Sequence, residues 1–263
     1  MSEIFDNAQK KQDELNEKIL GASEIKNQRP VFHFATPGGW CNDPNGFSQF
    51  GDKIHLFYQY HPYSTQWGPM HWGHVVSKDM LTWELQSVAL APDSAADCKG
   101  CFSGTAVEHN GKHIVAYTGV TNNGTVDIQN QCIAVGDGCV YEKLSENPVL
   151  TAADIPFEYN NEHFRDPKIW EKDGKFYMVC VLKQKNDRGA MVMFHSDDAK
   201  KWTYRGIIDS SKDGLSNMWE CPDVSVIDGK DCLIFSPQEV RENEKFGFHD
   251  GNNSIYVDRK SVV

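Results

Sequence analysis

One phrase recurs four times in this chain, and no other feature constrains its fold as much. The copies are DPNGFSQFGDKIHLFYQY from Asp43, FSGTAVEHNGKHIVAYTGV from Phe102, RDPKIWEKDGKFYMVCVL from Arg165 and CPDVSVIDGKDCLIFSPQ from Cys221. Each opens near a turn-like or small residue and crosses a polar turn with Gly (FGDK, HNGK, KDGK, IDGK). Each then runs into an alternating or wholly apolar strand. Apolar runs joined by Asn-Gly or Asp-Gly mark a β-hairpin, because the tight turn demands positive φ. A third strand follows in at least three copies: HWGHVVSKDMLTWE, QCIAVGDGCVYEK and AMVMFHSDDAKKWTYRG. Two of these share Ser-x-Asp followed by a Trp, a turn into a fourth, outer strand. The repeat is roughly 60 residues long, which suits four-stranded blades arranged radially. The sequence therefore predicts an all-β chain, a β-propeller of about four blades with the last unfinished. A β-sandwich of similar strands is the alternative, and the repeated Gly-Lys hairpin favours the propeller.

Outside the repeat lies one helical pattern. Residues 3 to about 20 carry Ile4, Phe5, Leu15, Ile19 and Leu20 among charges, and Gly21 can end the helix. The expected organisation is a helical segment over 1–28, with VFHFATPGGW extended after it, and a propeller over 29–257. With 40% hydrophobic and 24% charged residues, the composition is that of a globular chain. The net charge of −11 and the absence of a long basic run argue against a nucleic-acid partner. No apolar run is long enough to span a bilayer, and the first twenty residues lack the apolar core of a secretory signal, so the expected location is the cytoplasm. In that compartment the 8 cysteines read as reduced thiols. Cys98 and Cys101 form a lone CxxC without the second pair that a zinc site needs, so neither metal nor cofactor is expected. His71 and His74 alternate on an apolar strand and read as structural histidines. No pattern speaks to oligomeric state.

GGWCNDPNGF, residues 38–47, raises a sharper question. Asp-Pro-Asn-Gly alone is ordinary turn chemistry. In a propeller, however, the first strand of every blade lines the central channel, and Asp43, Asp166 and Glu220 all fall at or just before such a strand. Three carboxylates far apart in sequence would then meet in one cavity. Two carboxyls across a scissile bond are the apparatus of glycoside hydrolysis, one protonating the leaving oxygen and the other attacking carbon or activating water. Crowding like charges raises the pKa of at least one of them, as a general acid requires. Aromatic and amide side chains suited to sugar faces and hydroxyls are at hand in Trp40, Asn42, Gln59, Tyr60, Trp67, Trp72 and Phe102.

WCNDPNGF, YQYHPYSTQWGPMHWGHVVSKDMLTWE, CFSGTA, FRDPK and WECPD follow in this order, and together they resemble glycoside hydrolase family 32, the invertases and sucrose-6-phosphate hydrolases. The resemblance runs from about Arg29 to about Val257. It implies a five-bladed propeller followed by a small β-sandwich. It also implies retaining cleavage of the β-fructofuranosyl bond of sucrose, sucrose 6-phosphate or a short fructan, without a cofactor. Carried over, Asp43 is the nucleophile that forms a fructosyl-enzyme, Glu220 the general acid and then base, and Asp166 the stabiliser of the transition state. Asn42, Gln59, Trp67, Phe102, Ser103 and Arg165 match positions lining the sugar site. Cys41 departs, since the family usually has a larger apolar residue there. Two other readings stay open: an arabinan- or xylan-acting hydrolase on a related propeller, and a catalytically dead sugar-binding fragment. With four blade openings and no sandwich, the chain reads as an incomplete member of the family. Its last six residues, 258–263, read as a translated sequencing adapter and are expected to be a non-native tail.

Overall fold

The hairpin turns decide the architecture. Three of the four have both central residues at positive φ: Asn110 and Gly111, Asp173 and Gly174, Asp228 and Gly229. That is the twist-matched two-residue turn which Asn-Gly and Asp-Gly favour. In FGDK only Gly51 is left-handed, with φ +60°. The computed structural model describes residues 2–211, 216–243 and 247–259. Four antiparallel sheets follow one another along the chain. Blade 1 comprises β1 (Trp40–Phe50), β2 (Lys53–His61), β3 (His71–Ser77) and β4 (Glu84–Leu85). Blade 2 comprises β5 (Gly100–His109), β6 (Lys112–Asn122), β7 (Asp127–Gly136) and β8 (Tyr141–Lys143). Blade 3 comprises β9 (Tyr159–Lys172), β10 (Lys175–Gln184), β11 (Gly189–Ser196) and β12 (Thr203–Ser210). Blade 4 has three described strands, β13 (Met218–Ile227), β14 (Lys230–Gln238) and β15 (Ile255–Arg259). The four-bladed reading matches this arrangement, and the last blade shows three strands among the described residues.

Within each blade the strands pair in simple meander order, so the first strand is always innermost and the first strands of successive blades lie beside one another. The Ser-x-Asp motif makes the turn into the outer strand. Asp79 Oδ1 accepts the backbone N–H groups of Leu81 and Thr82 at 2.8 and 2.7 Å, and Asp198 Oδ1 does the same for Lys200 and Lys201 at 2.8 and 2.9 Å. Apolar side chains fill the wedges between blades. Phe57, Trp72, Val115 and Tyr117 pack between blades 1 and 2. Ile114, Ile133, Phe164 and Met178 pack between blades 2 and 3, and Val179, Met191, Trp219 and Phe235 between blades 3 and 4.

The N-terminal helix α1 spans Glu3–Gly21, as its pattern predicts. Ser2 caps it by accepting the Phe5 N–H at 3.1 Å, and also donates to Asp93 Oδ2 at 2.5 Å. Asp93 and the fully buried Asp97 share the Lys143 ammonium, each at 2.6 Å, so the helix start is tied into blade 2. A short helix α2, Ser23–Gln28, follows. Residues 31–39, expected as extended chain, instead bend at 31–33 and 37–39. There Phe34 packs on Tyr58 beside Tyr60 and Val75, the face of blade 1 turned away from blade 2. At the other end, blade 4 leaves Val226, Ile227 and Tyr256 more than half exposed. β15 runs two residues past the expected boundary at Val257, with Asp258 paired to Cys232 and Arg259 to Asp231. Lys230 Nζ meets Asp258 Oδ2 at 2.8 Å. Residues 260–263 of the expected tail lie outside the described residues. No helix among the described residues is long and apolar enough to cross a membrane.

Candidate active site

The innermost strand of every blade is broken by a register shift on residues singled out by sequence, and β1 and β9 carry a second shift each, at residues 46–47 and 161–163. In β1 the former break lies between Cys41 and Pro44, so that Asn42 and Asp43 together oppose Gln59 of β2. In β5 it isolates Ser103, in β9 it falls on Asp166 and Pro167, and in β13 on Cys221 and Pro222. Such bulges leave a residue out of the ladder and re-aim its side chain. Three of the four place Pro at the break, where the missing N–H costs no ladder bond. Asp166 and Cys221 adopt left-handed φ of 59° and 49°. For residues with a Cβ that conformation costs roughly 1–3 kcal/mol, offset by the surrounding fold. NDPNG is thus a bulged strand rather than a loop turn. Gly46 is required in it: φ is +53°, and a Cβ there would lie 2.5 Å from Phe57 Cδ2.

The bulges aim their side chains into one cleft of about 300 Å³. The three acids and the six residues matched through the resemblance all line it: Asn42, Asp43, Gln59, Trp67, Phe102, Ser103, Arg165, Asp166 and Glu220. Trp40, Tyr60 and Trp72, also expected around the sugar, do not, and Tyr60 and Trp72 are fully buried in the blade. Met70, Gln129 and His163 line it too and were not anticipated. His163 was readable, because two residues before Arg165 on a strand is the same face. Met70 precedes β3 and Gln129 lies on β7, and no pattern in either segment pointed inward. A larger hollow of about 540 Å³ on blade 4 is lined by Ile227, Ile234, Ile255 and Tyr256, among others, and gathers none of these functional groups.

Asp43 Oδ2 accepts a hydrogen bond from Ser103 Oγ at 2.7 Å. The network orients the buried Asn45 amide with its oxygen toward Gln59 Nε2 at 2.9 Å and its nitrogen toward Ser103 Oγ at 3.3 Å. The Ser103 proton therefore points at Asp43. Asn42 Oδ1 is held by Trp40 Nε1 at 2.7 Å. Trp67, 58% exposed, stands at the rim, edge-on to Phe102 with ring centroids 6.1 Å apart. Cys221 joins the blades: its N–H donates to Asp166 Oδ2 at 2.9 Å, and its Sγ lies 4.0 Å from Asp43 Oδ2. All eight cysteines are free.

Arg165 links two of the three carboxylates. Its Nη2 donates to Glu220 Oε1 at 3.0 Å, its Nε lies 3.8 Å from Asp166 Oδ2, and its Nη1 donates to His163 Nδ1 at 3.1 Å. That last bond requires a neutral His163, in line with a pKa lowered first by burial and then by the Arg165 charge. Crowded carboxyls were expected to raise one pKa, and Asp166 is the group that rises, to about 6. Burial is the main cause, with Glu220 and Asp43 adding to it against Arg165 and the Cys221 N–H.

A folded-state pKa above the unfolded value means that the ionised Asp166 opposes folding at pH 7. This penalty fades as pH falls from about 6 to about 4. Asp166→Asn keeps an acceptor for the Cys221 N–H and removes the charge. It is expected to raise unfolding free energy at pH 7 by about 1–3 kcal/mol and to give little gain at pH 4. Urea unfolding at both pH values checks this, and equal stability of the two proteins at pH 7 would refute it.

The profile of the glycosyl hydrolases family 32 N-terminal domain matches residues 33–260. The chain belongs to glycosyl hydrolase family 32. It is 40% identical over 215 residues to the sucrose-6-phosphate hydrolase of Escherichia coli, covering 80% of this chain and 44% of that protein. The sucrose-6-phosphate hydrolase of Bacillus subtilis is 38% identical over 234 residues, 87% of this chain and 47% of the relative. Among solved structures, a variant of the Bombyx mori family 32 β-fructofuranosidase in complex with sucrose superposes with a TM-score of 0.81 at 34% identity. That match covers 94% of this chain and 52% of the silkworm enzyme. This family 32 chain therefore spans about half the length of the relatives it matches.

Proposed function

We propose that the chain carries the catalytic centre of a retaining β-fructofuranosidase acting on sucrose or sucrose 6-phosphate. The observation that carries the reading is the convergence of Asp43, Asp166 and Glu220 from three blades on one cleft, with Arg165 bridging Asp166 and Glu220. The Asp43 carboxylate attacks the anomeric carbon of the fructosyl unit as the bond to the leaving oxygen breaks, and Glu220 gives that oxygen its proton. Glu220, now ionised, takes a proton from water. The water oxygen attacks the same carbon and expels Asp43, so two inversions retain configuration. Ser103 orients the attacking oxygen of Asp43, and Arg165 orients Glu220. Asp166, set deeper, accepts hydroxyls of the fructosyl ring, while Trp67 and Phe102 offer it apolar faces.

The names of the relatives, sucrose-6-phosphate hydrolases and a β-fructofuranosidase solved with sucrose, support this substrate class. The test is product release by this chain from sucrose and from sucrose 6-phosphate, with the first-formed fructose anomer read by NMR. Release of β-fructofuranose before mutarotation is expected. First-formed α-anomer would rule out the covalent route, and arabinose release from arabinan without fructose release from either sugar would move the chain to the other hydrolase class.

A further inference from the structure

The left-handed turn at Asp166 is held from blade 2 by a hydrogen-bond chain that runs in one direction. The Asp166 N–H has left the β9–β10 ladder and donates to Thr118 Oγ1 of β6 at 2.9 Å. Having accepted there, the Thr118 hydroxyl donates to Gln131 Oε1 of β7 at 2.8 Å. With its oxygen taken, the Gln131 amide turns its nitrogen to Phe164 O, two residues before Asp166, at 2.8 Å. Thr118 and Gln131 are both fully buried, so bulk solvent does not reach either. On the far side of the bulge Thr105 Oγ1 donates to Pro167 O at 2.9 Å and accepts the Ile169 N–H at 2.9 Å. Blade 2 thus grips β9 from both sides of the residue that must project into the cleft. A buried polar chain of this kind is costly unless complete. A Val–Leu pair would fill the same space without that demand, yet would leave the Asp166 N–H orphaned.

We infer that Thr118 and Gln131 are positioning residues for the reaction, fixing the Asp166 backbone so that its carboxylate stands at the depth where the fructosyl unit binds. The inference rests on the fructosidase reading for its kinetic arm and on geometry alone for its second arm. Neither residue reaches the cleft, and both act through Asp166.

Thr118→Val keeps the shape of the side chain and removes its hydroxyl, whereas Thr118→Ser restores it. Both are to be assayed with the parent well below their unfolding temperatures. In the Val variant kcat should fall by about 100-fold, as for a misplacement of about an ångström, with KM changed less than threefold, and Ser should recover most of the loss. Independently of turnover, carboxyl-¹³C aspartate NMR, with Asp166→Asn as the assignment control, follows the Asp166 titration. Val should move it toward the ordinary carboxylate range, with at least a threefold change in proton affinity, and Ser should leave it in place. Movement of either readout in Val, with recovery in Ser, supports the inference. A lowered unfolding temperature with both readouts unmoved overturns it and leaves Thr118 a structural residue. If the parent releases no fructose from either sugar, the functional reading falls, and the Asp166 titration alone decides the positioning role.

Discussion

Asp43→Asn is expected to cut fructose release by about 10⁴-fold or more, while leaving the fold and its unfolding midpoint within the range of the parent. An effect of that size corresponds to about 5.4 kcal/mol of lost transition-state stabilisation, more than any repacking around a half-buried, isosteric side chain could supply. The fold survives because the Ser103 hydroxyl donates to Oδ2 of Asp43 at 2.7 Å and an amide oxygen can accept the same bond. Loss of one of three crowded negative charges also favours the folded state. Turnover is lost because a neutral amide cannot form the ester to the anomeric carbon. Glu220→Ala should behave differently. With the acid gone, azide can enter after the fructosyl-enzyme forms and yield fructosyl azide of retained configuration, whereas azide acting in an Asp43 variant must give the inverted product. The configuration of the azide adduct from each variant, read by NMR, separates the two roles. Retained azide adduct from both variants would disprove the assignment of Asp43 as nucleophile.

How much of this was legible follows from how local each signal is. Hairpin turns are set by two adjacent residues, so HNGK, KDGK and IDGK announced the blades correctly. The ring order followed, because a meander places every first strand innermost. Asp43, Asp166 and Glu220 were readable as a converging set for that reason alone. The bulges were less obvious. Pro44, Pro167 and Pro222 are their signature, yet a Pro after Asp or Cys also reads as a plain turn, and only the partner strand distinguishes the two. What stayed hidden depends on contacts between blades. Nothing near Thr118 in the chain predicts that its hydroxyl meets the Asp166 N–H 48 residues away. Likewise, crowding predicted that some carboxyl would rise, but burial selects Asp166, and burial is a property of the assembled wedge. His71 and His74, read as structural, are buried outside the cleft, but each keeps one ring nitrogen without a partner among the described residues.

Those histidines make stability collapse on acidification, the second large effect expected. His55, His74 and His113 meet at the seam of blades 1 and 2. His55 Nδ1 lies 3.0 Å from His74 Nε2, a bond in which one nitrogen must be bare, and His74 stacks on Phe57 at 4.3 Å. His113 is held between Ser48 Oγ at 2.9 Å and Tyr141 OH at 2.8 Å. Burial lowers all three below the ordinary histidine value, His113 to about 3, and it lowers His71 to about 4. For a base with a depressed folded pKa, the neutral form is the folded form. Stability is whole above pH 6.5 and is lost as pH falls from there toward 4, because the unfolded chain takes up protons that the folded chain refuses. Each histidine contributes about 1.4 kcal/mol per pH unit once the unfolded form is saturated. Asp166 works in the opposite sense between pH 6 and 4, so the three protons refused by His71, His74 and His113 are offset by one. The net slope of about 3 kcal/mol per pH unit below pH 5.5 is large against a typical total stability of about 5–15 kcal/mol. Unfolding free energy from urea titrations between pH 7.5 and 4.5 measures the slope directly. His74→Phe, which keeps the stack on Phe57, should lower it by close to one proton, and a parent slope below one proton across this range would show that the seam does not control acid stability.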